Sequence, residues 1–193
     1  DPGPLDLRSE VVGSEKRDGL IVERVAFNTT PWNRLDGYFL RPADAAGPLP
    51  GLVVFHAWGG PMLFGCDRIV NSGRDHPLLA EHRDTYYSGR YLAEVFAGAG
   101  YAVIVVDAWH FGERAPRGLD DAGIPDRYDP YELSVEAYQQ LDTRVRDALY
   151  LGVRQLNWAG TTWMGLNFWD DARCVDYLRA RPEVDGERIG CTG

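Results

Sequence analysis

Arg188-Ile189-Gly190-Cys191-Thr192-Gly193 is the stretch on which the fold turns. It reads as a buried strand running into a glycine turn. That is the approach to a G-x-S-x-G elbow, where a sharp strand-to-helix turn lifts a serine above a sheet. Gly193 takes the place of the first glycine, so the serine falls on the second residue beyond it. The stretch therefore predicts a nucleophile supplied by a segment after Gly193.

Working back from there, Pro182 stops a helix spanning Trp163 to Arg181, with Trp169, Cys174, Val175 and Leu178 on its apolar side. Before the break at Gly160, Val135, Tyr138, Leu141, Val145, Leu149, Val153 and Leu156 step by three or four, as on a long amphipathic helix. Tyr101 to Asp107 is a buried strand. Arg90 to Ala97 is a helix, N-capped by Ser88 and closed by Gly98 and Gly100. Gly51 to His56 is a continuous apolar run, typical of a strand covered on both faces. Leu20 to Phe27 and Leu35 to Leu40 form an antiparallel hairpin across a turn at Asn28 to Asn33. Asp1 to Glu10 is polar and drapes over the surface. Pro61 to Tyr87 and Phe111 to Pro130 are insertions without a regular pattern. The order is that of an α/β protein: the N-terminal part of a mostly parallel sheet with an antiparallel hairpin at its start. Residues 1–193 are expected to be part of a single domain, with insertions at about 61–87 and 111–130.

Composition narrows the function classes. A net charge of −9 without clustered Lys or Arg excludes a nucleic-acid surface. The longest apolar run, Tyr101 to Val106, is strand-sized, far short of the roughly 18–20 residues of a membrane span. Three cysteines, Cys66, Cys174 and Cys191, lack paired spacing, so no disulfide framework is expected. The compartment stays open.

The chemistry concentrates after two strands. His56-Ala57-Trp58-Gly59-Gly60 follows the Gly51–His56 run, and two adjacent glycines allow a sharply turning backbone whose amides point into a site. The backbone N–H of Trp58, with Ala57 second, is the expected oxyanion donor. A plain glycine turn ending a strand is the competing reading. His56, Trp58, Gly59, Trp109 and His110 are the expected substrate-binding residues.

Taken together, these segments resemble the α/β-hydrolase superfamily, in particular its dienelactone hydrolase-like and acetylxylan esterase-like branch. The resemblance rests on His56 to Gly60, Asp107-Ala108-Trp109-His110-Phe111-Gly112-Glu113-Arg114 and Trp169-Asp170-Asp171-Ala172-Arg173. Asp176-Tyr177-Leu178, Arg181-Pro182-Glu183-Val184-Asp185 and Arg188 to Gly193 add to it, so that it covers Leu20 to Gly193 in order. It implies a serine just after Gly193, an acid and a histidine further downstream, and a second oxyanion amide on the residue after the serine. It also implies a carboxyl-ester substrate, on a carbohydrate or a small acid, with no cofactor. Ala57 departs from the pattern, since many relatives carry Gly there. The 61–87 insertion is the expected lid or pocket wall.

Other residues carry plainer expectations. Asp107, His110 and Glu113 have a D-x-x-H-x-x-E look, but a loop position and no second ligand cluster argue against a metal. Asp107 and Arg114 are expected to brace the loop. The resemblance puts the general base after the nucleophile, so none of His56, His76, His82 and His110 is taken as the base. Asp170-Asp171 reads as a solvated or helix-start pair rather than an acid/base device. Tyr86, Tyr87, Tyr91, Trp158, Trp163, Phe168 and Trp169 read as core rather than as a carbohydrate platform. Cys191 reads as an inert buried hydrophobe. The expected partners are an ester substrate and a C-terminal segment or second chain that completes the fold. The rival is a non-catalytic binding protein that keeps the hydrolase frame.

Overall fold

A computed structural model describes residues 6–193. Its first strand, β1 (Glu10–Arg17), is one that the sequence reading misses, since Glu10 belongs to a sheet rather than to a surface tail. Residues 1–5 of that expected tail lie outside the described residues. Every side chain of β1 is exposed or half-buried, so it carries no burial alternation to read. The missed signal is Asp18-Gly19, which joins Arg17 to Leu20 in a two-residue hairpin turn with both residues at positive φ, +49° and +77°.

Strands β2 (Leu20–Asn28) and β3 (Arg34–Pro42) form the expected hairpin. Strand β4 (Leu49–Val54) leads into the 56–60 loop, and about half of Pro61–Tyr87 proves to be helical. It contains a 3₁₀ turn at Cys66–Arg68 and helix α1 (Pro77–Tyr87). His76 caps α1: its Nδ1 accepts from Leu78 N–H at 3.2 Å, and Pro77 needs no partner at the first helical position. Ser88 is not an N-cap. It ends α1 in the left-handed region, at φ 54°, and α2 (Leu92–Gly98) starts four residues later.

Strand β5 (Ala102–Val106) is buried at every position, as its unbroken apolar run requires. Ser134 Oγ accepts from Ala137 N–H to start α3 (Val135–Trp158), and Thr162 Oγ1 accepts from Gly165 N–H to start α4 (Trp163–Ala180). Strand β6 (Val184–Thr192) closes the described chain.

The strand order is β1-β2-β3-β5-β4-β6: antiparallel as far as β5, then parallel between β5, β4 and β6. Helix α2 packs with Val22, Leu40, Val103 and Val105 on one face of this mixed sheet. Helix α4 packs through Cys174, Tyr177 and Leu178 on the other, against Phe27, Phe39, Val53 and Ile104. A third cluster sits beyond the strand ends, where Tyr138, Leu141, Val145 and Leu149 of α3 cover Met62, Phe64 and Phe111.

Two burial expectations fail. Cys191 is exposed because β6 is the outer strand, paired only with β4 among the described residues. Tyr86, Trp158, Phe168 and Trp169 are exposed as well, Trp158 at 94%. Buried positions on α4 run Asn167, Asp170, Cys174, Tyr177 and Leu178, which leaves Phe168 on the opposite face.

Candidate active site

The loop after β4 is held from behind by buried polar groups. His56 is 8% exposed; its Nε2 accepts from Ala108 N–H at 3.1 Å, tying the loop after β4 to the loop after β5. The Arg68 guanidinium lies against Nδ1. Burial first, then that cation, lowers the His56 pKa to about 3. With Nε2 accepting from Ala108, the neutral ring carries its proton on Nδ1, 3.2 Å from Ala57 O, and serves as a strut rather than a proton acceptor in waiting.

Arg68 was not singled out in the sequence because it lies in a stretch without pattern. It is fully buried, and its Nη1 donates to Gly59 O at 2.6 Å while its Nε reaches Gly65 O at 3.4 Å. The cation sits 4.9 Å from the Phe111 ring. Burial lowers its pKa. The Ala57 N–H donates to the Tyr87 hydroxyl at 3.2 Å, so this amide already has an internal partner. Trp58 follows with its indole edge-on to Trp163, 4.4 Å between centroids, and to Phe111 at 5.5 Å.

The loop after β5 is clamped by Asp107. One carboxylate oxygen accepts from Cys66 N–H at 2.6 Å and the other from Glu113 N–H at 2.8 Å. Two glycines make room: a Cβ on Gly65 or Gly112 would come within 2.0 or 2.2 Å of the carboxylate. Burial raises the Asp107 pKa, against the lowering by these hydrogen bonds. Arg114 donates to Asp107 O at 2.9 Å and pairs with Asp170 at 2.8 Å, so both residues brace the loop.

Asp170 is therefore no solvated helix residue. Its carboxylate is buried and takes both Arg114 and the Trp109 indole N–H, at 3.1 Å. Glu113 turns outward to Arg24, so the D-x-x-H-x-x-E residues point to different partners. No group of three metal-ligating side chains converges among the described residues.

Between these loops and α3 and α4 lies a cavity of about 650 Å³. Phe55, His56 and Trp58 line one side, Ala108 and Phe111 another, with Leu149 and Val153 of α3 and Trp163 of α4 opposite. Asp171 is the one carboxylate in this apolar wall, and burial with Asp170 beside it raises its pKa to about 6.

Of the expected site residues, His56 and Trp58 reach the wall, whereas Ala57, Gly59, Trp109 and His110 do not. Trp109 is tied to α4 instead, its N–H donating to Asn167 Oδ1 at 2.9 Å. His110 sits at φ +71° beside Gly152, its Nδ1 without a partner, and burial followed by Arg114 lowers its pKa.

The end of β6 packs on Phe55, a residue of that cavity's wall. Phe55 N–H donates to Thr192 O at 2.8 Å, and a Cβ on Gly193 would lie 2.6 Å from Phe55 Cβ. Only glycine allows the strand end to approach the cavity wall this closely.

A mixed sheet in this strand order, helices on both faces and a site above the strand ends make this an α/β-hydrolase fold. No protein-family model matches the chain. It is similar to "Putative hydrolase YtaP" of Bacillus subtilis (strain 168), at 22% identity over 192 residues, all of this chain and 50% of that protein. Among solved structures it is similar to a "putative acetyl xylan esterase" from Bacteroides fragilis, with TM-score 0.65, 18% identity, and coverage of 97% of this chain and 42% of that one. A glucuronoyl esterase from Solibacter usitatus superposes at TM-score 0.52, with 19% identity over 97% of this chain and 45% of that one. The chain thus spans about half the length of the relative matched in sequence.

Proposed function

We propose that this chain is the N-terminal part of a single α/β-hydrolase domain, a serine carboxyl-ester hydrolase whose nucleophile, acid and histidine follow Gly193. The observation that carries this is that the glycine end of β6 packs on Phe55, beside His56 and Trp58 in the wall of one apolar cavity. In this reading the serine just past Gly193 attacks the ester carbonyl, and a downstream histidine takes its proton. The oxyanion is held by the backbone N–H of Trp58 and by that of the residue after the serine. Ala57 is the weaker candidate, since its amide is bonded to Tyr87.

The acyl group lies in the apolar cavity, against Trp58 and Phe111. Its apolar lining suits the acyl side of an ester, and the names of the structural neighbours point to esters of carbohydrates. The tetrahedral intermediate then breaks the ester C–O bond, the histidine returns its proton to the departing alcohol, and water, deprotonated by the same histidine, hydrolyses the acyl-enzyme to free acid and serine. Loss of one oxyanion donor in such a site costs about 10²–10³ in kcat.

Labelling the whole protein with a fluorophosphonate, followed by peptide mass spectrometry, tests the reading. The expected result is one labelled serine in the peptide that continues from Arg188–Gly193. A whole protein in which no serine labels would reject catalysis and leave a binding protein with a hydrolase frame.

A further inference from the structure

Asp171 takes no part in the reaction as proposed, yet it stands in the wall of the cavity where that reaction would occur. It follows Asp170 on α4, and successive residues of an α-helix point about 100° apart. Asp170 therefore turns to Arg114 and the Trp109 indole, while Asp171 turns to the cavity.

Among the described residues, no hydrogen bond or ion pair engages the Asp171 carboxylate. The cations of neighbouring positions are engaged elsewhere: Arg114 with Asp170 and Asp107 O, Arg173 with Asp176 at 2.8 Å. Asp171 is half-buried, so its carboxylate keeps surface that a ligand can reach.

The rest of the wall does not pair it either. No Lys or Arg lines the cavity among the described residues, and His56 is neutral. Asn167 accepts from Trp109 N–H and donates to Trp163 O, while Thr162 Oγ1 accepts from Gly165 N–H. Tyr150 and Asn157, the other polar side chains of the wall, carry no charge. A carboxyl with a pKa of about 6 is ionised at about pH 7.5, so an unpaired anion stands in an apolar wall. Such a charge opposes folding, and an unpaired, perturbed group in a cleft marks where a ligand's chemistry is expected. Its complement is a cation on an apolar body: the cation meets Asp171, and the body lies against Trp58, Phe111 and Trp163. The net charge of −9 favours a cation as well.

We propose that Asp171 makes this cavity selective for an organic ammonium group, held by a charge-assisted hydrogen bond to its carboxylate. With the acyl group in this cavity, the substrate class is an ester whose acyl part carries a protonated amine. That assignment of substrate rests on the esterase reading; the binding of the cation does not.

The test compares benzylamine, a cation at about pH 7.5, with benzyl alcohol, which differs from it by one neutral group, in fluorescence titrations of the whole protein. Trp58 and Trp163 in the wall report the binding. The amine should bind saturably and at least about 10-fold more tightly than the alcohol. Asp171→Asn, with a native near-UV circular dichroism spectrum, should bring the amine down to the level of the alcohol and move the alcohol by less than about 2-fold. No saturable amine binding up to about 100 mM would overturn the proposal. So would equal affinities in the unaltered protein, the result expected if a side chain after Gly193 already pairs with Asp171, and so would a preference that survives in Asp171→Asn. Serine labelling reads the esterase separately. Labelling without a preference for the amine removes this proposal alone, and amine binding without labelling leaves a cation-binding cavity and removes the esterase.

Discussion

Asp107→Asn keeps the shape of the side chain and removes one acceptor from the clamp between the two loops. Two backbone N–H groups, of Cys66 and Glu113, point at two carboxylate oxygens at 2.6 and 2.8 Å. A carboxamide can serve one of them, and its NH₂ then faces the other donor. One hydrogen bond to a charged group, worth about 1.5–3 kcal/mol, is lost, and a buried N–H is left without a partner at about 1–3 kcal/mol. Removing a buried charge returns part of this, because burial already raises the Asp107 pKa. The net expectation is a loss of about 2–3 kcal/mol, or roughly 4–12 °C in Tm for a domain of this size. Relaxation is blocked on both sides, since Gly65 and Gly112 already pack as close to the carboxylate as residues without a Cβ can. Urea unfolding supplies the stability change, and hydrogen exchange should show the Cys66 and Glu113 amides losing protection beyond the global change. A loss under about 0.5 kcal/mol, with exchange at these two amides unchanged, would refute the clamp.

Three further outcomes follow from the same geometry. Arg114→Met leaves the Asp170 carboxylate, 5% exposed, with only the Trp109 indole and should cost about 3–5 kcal/mol; adding Asp170→Asn should recover part of that, and strict additivity in urea unfolding would count against the pair. Gly60→Ala forces a side chain into φ +93° and to within 2.5 Å of the His82 ring, so a destabilisation of about 2 kcal/mol or more is expected, and a neutral effect would mean the loop adopts another conformation. Asp171 has a pKa raised to about 6 by burial and by Asp170, so the folded state holds its proton more tightly than the unfolded chain; the associated stability is complete below about pH 4 and lost as pH rises through 6. Asp171→Asn should therefore stabilise the protein at pH 7 by about 1–2 kcal/mol, discounted for partial exposure, and not at pH 4; an equal effect at both would sink the assignment.

The strands most legible in the sequence, β4 and β5, owe it to side chains buried on both faces. Val103 to Val106 and Leu52 to Val54 carry the reading in their composition, and α3 carries it in the spacing of Tyr138, Leu141, Val145 and Leu149. Strand β1 carries no such mark, because its side chains face solvent and its membership in the sheet comes from backbone pairing with β2. Asp18-Gly19 was the available clue. At the site, the 56–60 loop was legible from its glycines, while its supports were not. Arg68 lies in an irregular stretch and holds Gly59 from nine residues away, and Asp170 holds Trp109 across sixty-one. The outward aromatics failed for a related reason: helical spacing shows that residues share a face, and does not show which face is covered.

The polar supports also bear on what kind of protein this is. Arg68, Asp107 and Asp170 are charged groups taken out of water, and each burial opposes folding unless its hydrogen bonds are nearly complete. A sheet needs none of them to stay together, since β3, β4 and β5 already pair and pack through apolar side chains. What the three groups do share is a target. Arg68 fixes Gly59 and His56, Asp107 fixes Cys66 and Glu113, and Asp170 with Arg114 fixes Trp109 and the Asp107 carbonyl. All of these points, backbone and side chain, belong to the loops beyond the ends of β4 and β5. An amide that stabilises a developing oxyanion works only if it is already aimed before the charge appears. A flexible binding loop gains nothing from such bracing, whereas a catalytic one requires it. The distribution of buried charge therefore supports the proposed hydrolase reading, in which the 56–60 loop must be aimed in advance.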